Sequence, residues 1–223
     1  VETPREAIDD TLRHIADRLA DCGFAVRSGH KLARKRGDMT EELHAQADRG
    51  NRAGEVVRFR LSAMTHSAAA KRWTMVQTEP ALHSEGPFAG VVGSTQLHFA
   101  EGLNGRDFDV VNPDDRPFVA ETFAARVLQT VLPWFDTLDD PEAALATMGD
   151  VPTNETWLLR FALAHGLDAE ARDALARRCG RYPDFAREFA QYVAQIAANG
   201  PPQGYRDATE ELAAFAVAAN LAP

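Results

Sequence analysis

Apolar and polar positions follow two rhythms along this chain, one helical and one strand-like, and their order outlines a fold. The clearest helical stretch is FVAETFAARVLQTVLPWF, Phe118–Phe135, where Phe123, Val127, Leu128, Val131 and Leu132 form an apolar stripe. Asp114, Asp115 and Pro117 stand where such a helix starts. Pro133 lacks an amide donor and crowds the preceding turn, so the helix is expected to end or kink there. A second amphipathic helix is read at Thr3–Cys22. Thr3, Pro4 and Glu6 supply a capping box, Ile8, Leu12, Ile15, Ala16 and Leu19 share a face, and Gly23 terminates it.

Between these helices the period shortens to two. Phe24–Arg27 and His30–Arg36 flank the Ser28-Gly29 turn. Met39–Ala47 places Met39, Leu43, Ala45 and Ala47 on one side, interrupted by Glu41. In Glu55–Met64, Val57, Phe59, Leu61 and Ala63 alternate with Arg58, Arg60 and Ser62, the signature of a strand covered on one face. A short helix is expected within Ser67–Met75, an irregular crossing over Glu79–Gly93, and further strands at Ser94–Ala100 and Asp107–Val111. Beyond Phe135 the pattern is helical again: Pro141–Met148, Asn154–His165, Asp168–Cys179 stopped by Gly180, Pro183–Ala198, and a last helix capped by Asp207 and Glu210. These elements predict an α+β fold, an antiparallel β-meander packed against an N-terminal helix and a core helix, followed by a helical C-terminal extension. The expected division is an α+β domain at 1–148 and a helical extension at 150–223.

The 223 residues are 45% hydrophobic, enough for a packed core. No apolar run reaches the ~18 residues of a membrane span, and the first residues lack a basic segment followed by a hydrophobic one, so neither a membrane anchor nor a signal peptide is expected. Cys22 and Cys179 lie far apart and are expected to be reduced, which points to a cytoplasmic location. The formal net charge of -9 is uneven: residues 1–73 hold 14 Lys/Arg against 11 Asp/Glu, and the remainder 10 against 22. That asymmetry can orient a partner.

Chemistry is thinly signalled. His66, His83 and His98 with Glu79, Glu85 or Glu101 lack the paired spacing of metal ligands, so no metal or cofactor is expected. Glu101, Asp107 and Asp109 lie across a glycine-containing turn that fixes no carboxyl separation, and Ser94 in GVVGSTQ is no nucleophile elbow. The cluster Arg27, Lys31, Arg34, Lys35 and Arg36 lacks interleaved aromatics for base stacking, so nucleic acid is not the expected partner. Arg58, Arg60 and His98 on the polar sheet face can line an anion-binding groove. Trp134, Phe135 and Trp157 are candidate contact residues for a protein partner, although the aromatic end at Trp134-Phe135 also reads as a packing junction.

The amino-terminal helix ending in Cys22-Gly23-Phe24, LARKRGD at Leu32–Asp38, GEVVRFRLSA at Gly54–Ala63, Trp73, QLHF at Gln96–Phe99 and VLPWFD at Val131–Asp136 together give a pattern that resembles the uncharacterised DUF4304-type family of small bacterial α/β proteins. The resemblance covers roughly residues 5–148 and implies a helix, an antiparallel meander and a closing helix, with no established activity. The expectation is therefore a non-catalytic protein-interaction module, immunity-like in its acidic surface and suited to a basic protein partner. The alternative is a module for a small molecule or anion, or a hydrolase, that uses the polar sheet face. Oligomeric state is not legible.

Overall fold

Local chemistry sets the first helix, α1 (Pro4–Arg18): the Thr3 hydroxyl accepts the Glu6 amide at 3.3 Å while the Glu6 carboxylate accepts the Thr3 amide at 2.8 Å. Gly23, with φ of 82°, then reverses the chain in a conformation that glycine adopts without strain. The computed structural model describes residues 1–97, 108–150 and 154–222. Strands β1 (Ala25–Arg27), β2 (Lys31–Arg36), β3 (Met39–Ala47), β4 (Phe59–Ser67) and β5 (Val91–Gln96) form one sheet in sequential order. β1 with β2 and β2 with β3 pair antiparallel, in a register that sets Leu32 opposite Leu43 and Arg34 opposite Glu41. The protein has an α+β fold, an antiparallel sheet packed against helices, with a C-terminal helical extension.

Two compact units emerge from the packing, one of residues 1–65 and 94–136, the other of 66–93 and 137–223. The second unit thus takes in 66–93 and 137–148 besides the helices expected from 150 onward. In the first, α1 and α3 (Arg116–Arg126) cover one sheet face. Ile8, Leu12 and Ile15 of α1 meet Leu32, Leu43, Phe59 and Leu61 of the strands. The Phe123 ring stacks on Phe59 at 5.2 Å and leans on Phe108 at 5.4 Å. No helix among the described residues is long and apolar enough to cross a membrane.

The helix through Pro133 departs from expectation. It does not end there: α3 passes through a π-helical turn, Val127–Val131, straight into α4 (Leu132–Leu138). The buried residues Val119, Phe123, Val127, Val131 and Phe135 recur every fourth position. A straight α-helix drifts about 40° at each such step. The wider π turn, closed by the Leu132 amide donating to the Val127 carbonyl, offsets that drift and keeps all five on one face. Leu128, expected in the stripe, is accordingly 44% exposed.

The second unit is built around α6 (Glu155–Ala164), capped by Asn154 and buried on most sides by Leu158, Leu159, Phe161 and Ala162. It packs against α2 (Ala68–Met75), α5 (Pro141–Ala146), α7 (Asp168–Arg181) and α9 (Ala208–Ala218), while α8 (Pro183–Asn199) packs on α7 and α9. Gly180 does not stop α7, which runs to Arg181, and Pro183 opens α8 at its first position. β5 starts at Val91, inside the stretch read as an irregular crossing, because Val91 and Val92 are both buried. The expected strand over 94–100 and the start of the one over 107–111 run into residues outside the described ones.

Candidate functional site

At the base of the β3–β4 connection, a cleft of about 470 Å³ is lined by Gln46, Ala47, Asp48, Arg49, Arg58, Phe59 and Arg60. That volume suits a small ligand. Its floor follows from alternation: Phe59 turns into the core, so Arg58 and Arg60 turn the other way, onto the sheet face that α1 and α3 leave uncovered.

Arg58 stands in a fixed backbone frame. The Asn51 side chain accepts its amide and donates to its carbonyl, both at 2.8 Å, and the Asp48 amide donates to the same carbonyl at 3.0 Å. On the other side Arg58 bridges to Asp109, whose carboxylate accepts the amides of Val57 at 2.9 Å and Val111 at 3.0 Å. Asp109, a candidate acid by sequence, is thus engaged in holding the backbone. Asp48 also accepts the Gly50 amide at 2.7 Å, a local turn that projects Arg49 beside the cleft.

The electrostatics are one-sided. None of Arg49, Arg58 and Arg60 forms an ion pair with a described residue, and Arg58 Nε is enclosed without a hydrogen-bond partner among them. Asp48 is the single acid among the described lining residues. Three guanidinium groups around one cleft make a receptor for an anion, since each can offer two parallel N–H donors to a carboxylate or phosphate.

The remaining candidates are dispersed. His98, expected beside Arg58 and Arg60, lies outside the described residues, as do Glu101 and Asp107. Phe135 is buried in the first unit's core, with the half-buried Trp134 ring 5.2 Å away. Trp157 belongs to the second unit and stacks on the exposed Phe88 at 6.5 Å. His30 pairs with Asp9 at 2.7 Å and His83 with Glu85 at 3.1 Å. His44 and Lys31 both reach Glu42, at 2.7 and 2.6 Å. Burial works against ionisation of Glu42, but those two hydrogen bonds outweigh it and leave its pKa below the usual carboxylate range. Among the described residues no group of three or more His, Cys, Asp or Glu side chains could hold a metal ion.

The basic run on β2 is largely engaged within the fold. Lys31 pairs with Glu42, Arg34 with Glu41, and Arg36 with Asp136 and, at 3.6 Å, with Glu41. Sequence reasoning missed Gln46, Asp48 and the Asn51 brace. The RGNRAG loop alone does not reveal that its asparagine substitutes for a strand partner of Arg58. No family model, no curated protein and no solved structure matches the chain.

Proposed function

We propose that this protein is a non-catalytic binding module that takes an anionic group, a phosphate or carboxylate carried by its ligand, in the cleft of Arg49, Arg58 and Arg60. The observation that carries this is three guanidinium groups around one cleft with no carboxylate partner among the described residues. Fixing three like charges together is unfavourable without a counter-charge, and a bound anion supplies it. The Asn51 and Asp109 hydrogen bonds hold the Arg58 backbone before any ligand arrives, which lowers the ordering cost of binding. The described lining residues offer no exposed aromatic face for a nucleobase, so recognition rests on the anionic group. A cytoplasmic location belongs to the same proposal and is supported by the two unpaired cysteines. So does kinship with DUF4304-type proteins, supported by the order of helix, antiparallel strands and closing helix.

The test is thermal unfolding of the full chain with pyrophosphate or citrate at constant ionic strength. A saturable rise in Tm is expected, lost in the Arg58→Gln/Arg60→Gln double variant. No rise, or an equal rise in that variant, refutes the cleft.

A second reading, attachment to a protein partner, draws on Met75, Val76 and Phe88, apolar side chains that stand exposed in the second unit. It expects a bait carrying Val76→Ser and Phe88→Ser to lose a partner that the wild-type chain captures. Equal capture by both refutes it.

A further inference from the structure

Arg160 sits on α6, the helix about which the second unit is packed, and only 9% of its surface is exposed. Its guanidinium forms no hydrogen bond and no ion pair with any described residue, and Nε is enclosed without a partner. Its guanidinium lies over the Phe215 ring of α9, at 5.6 Å. Glu211 and Tyr205 act on it electrostatically without reaching it.

Three other enclosed arginines have ion or hydrogen-bond partners, although one terminal nitrogen of Arg34, like Arg58 Nε, lacks one among the described residues. Arg116 is met by Glu2, by Asp10 at 2.9 Å and by the Val110 carbonyl. Arg34 is met by Glu41 and the Cys22 carbonyl. Arg178 is met by Glu155 at 2.7 Å and by the rings of Tyr182 and Phe185. Withdrawing a cation from water without pairing it is strongly unfavourable. At Arg160 the fold leaves Nε enclosed and unpaired although a carboxylate, Glu211, is close enough to act on the charge.

We propose that Arg160 anchors a second binding site, in the helical unit, for a ligand with a single carboxylate on an apolar body. One guanidinium fork matches one carboxylate through two parallel hydrogen bonds. The fully buried Phe215 ring backs the guanidinium, and the half-buried Trp73 ring, 6.3 Å from Phe215, extends the aromatic surroundings. The negative charge of Glu211 opposes a doubly charged anion but tolerates a monoanion once the guanidinium is neutralised. Tyr205 stands partly exposed near the same charge. Burial, and then Glu211, push its phenol above the usual value, so it keeps its proton and serves as a donor.

The experiment uses the full chain and sodium benzoate as probe, with thermal unfolding at fixed pH and ionic strength. Benzoate is expected to raise Tm saturably in the wild type and in Arg60→Gln, and to have no effect in Arg160→Met. Should Arg160→Met fail to fold, Arg160→Lys keeps the charge and loses the fork, and its affinity is expected to fall about tenfold. No benzoate shift in the wild type overturns the site. So does a shift of equal midpoint in either Arg160 variant, or one abolished by Arg60→Gln, which would assign the carboxylate to the sheet cleft.

Discussion

Glu41 gives the sharpest test of how the first unit is held together. It is fully buried, 0% exposed, on the same side of the sheet as Leu43 and Met39, and lies directly across from Arg34, whose side chain is 10% exposed. Replacing Glu41 by Leu leaves the Arg34 charge in an apolar setting. Breaking one side of a buried pair typically costs about 3–5 kcal/mol. The hydrogen bond from Arg34 to the Cys22 carbonyl, at 3.0 Å, and its position 4.9 Å over the Phe24 ring survive the change. The lower end, about 3 kcal/mol, is therefore expected. Arg34→Met instead takes the nearest cation from the buried Glu41 carboxylate, which Arg36 still approaches at 3.6 Å from β2. A urea-unfolding cycle over wild type, Arg34→Met, Glu41→Leu and the double variant measures the coupling. Both single variants should lose stability, Glu41→Leu the more, and the double variant should lose less than the sum of the two. Additive losses, or singles within about 0.5 kcal/mol of wild type, would refute the reasoning.

Three further outcomes follow from other parts of the structure. Arg160→Met, which removes the enclosed and unpartnered Nε donor, should raise the unfolding free energy in ligand-free buffer by about 1 kcal/mol, read by chemical denaturation. Gly90→Ala should cost about 1–3 kcal/mol by overpacking, because a Cβ there would lie 2.7 Å from the Ser67 carbonyl oxygen and 2.9 Å from Lys71 Cβ. The hydrogen bond from Arg116 holds the Asp10 carboxyl below its ordinary value. Its contribution to stability is therefore present above the unfolded pKa of about 4 and is lost as pH falls through the lower folded value. Asp10→Asn should flatten the fall of Tm between about pH 5 and pH 2 relative to wild type, as measured by a pH series of melting curves.

The order of elements was legible in the sequence wherever one face of an element is buried. Phe59, Leu61 and Ala63 alternate with polar residues on β4, and the capping box at Thr3 and Glu6 forms as its residue types dictate. Two features were harder. Glu41 interrupts an apolar face, and only the β2–β3 register shows that the interruption is one half of an ion pair. Pro133 signals a break that the packing avoids: the residues at every fourth position, Val119 to Phe135, are all buried, and the π turn before the proline accommodates them. That spacing of four is itself visible in the sequence and could have marked the turn. The cleft was half legible. Alternation places Arg58 and Arg60 on the polar face, but Arg49, Gln46 and Asp48 join them only through the fold of the intervening loop. Arg160 carries no sequence signal, since an arginine on an amphipathic helix ordinarily reaches water.

The anion cleft is tested most directly by a crystal of the full chain grown with sodium tungstate, a heavy tetrahedral oxyanion located by its anomalous scattering. A peak within hydrogen-bonding distance of the Arg58 and Arg60 guanidinium groups is the result expected. An empty cleft, with tungstate found only elsewhere on the surface, would contradict the account.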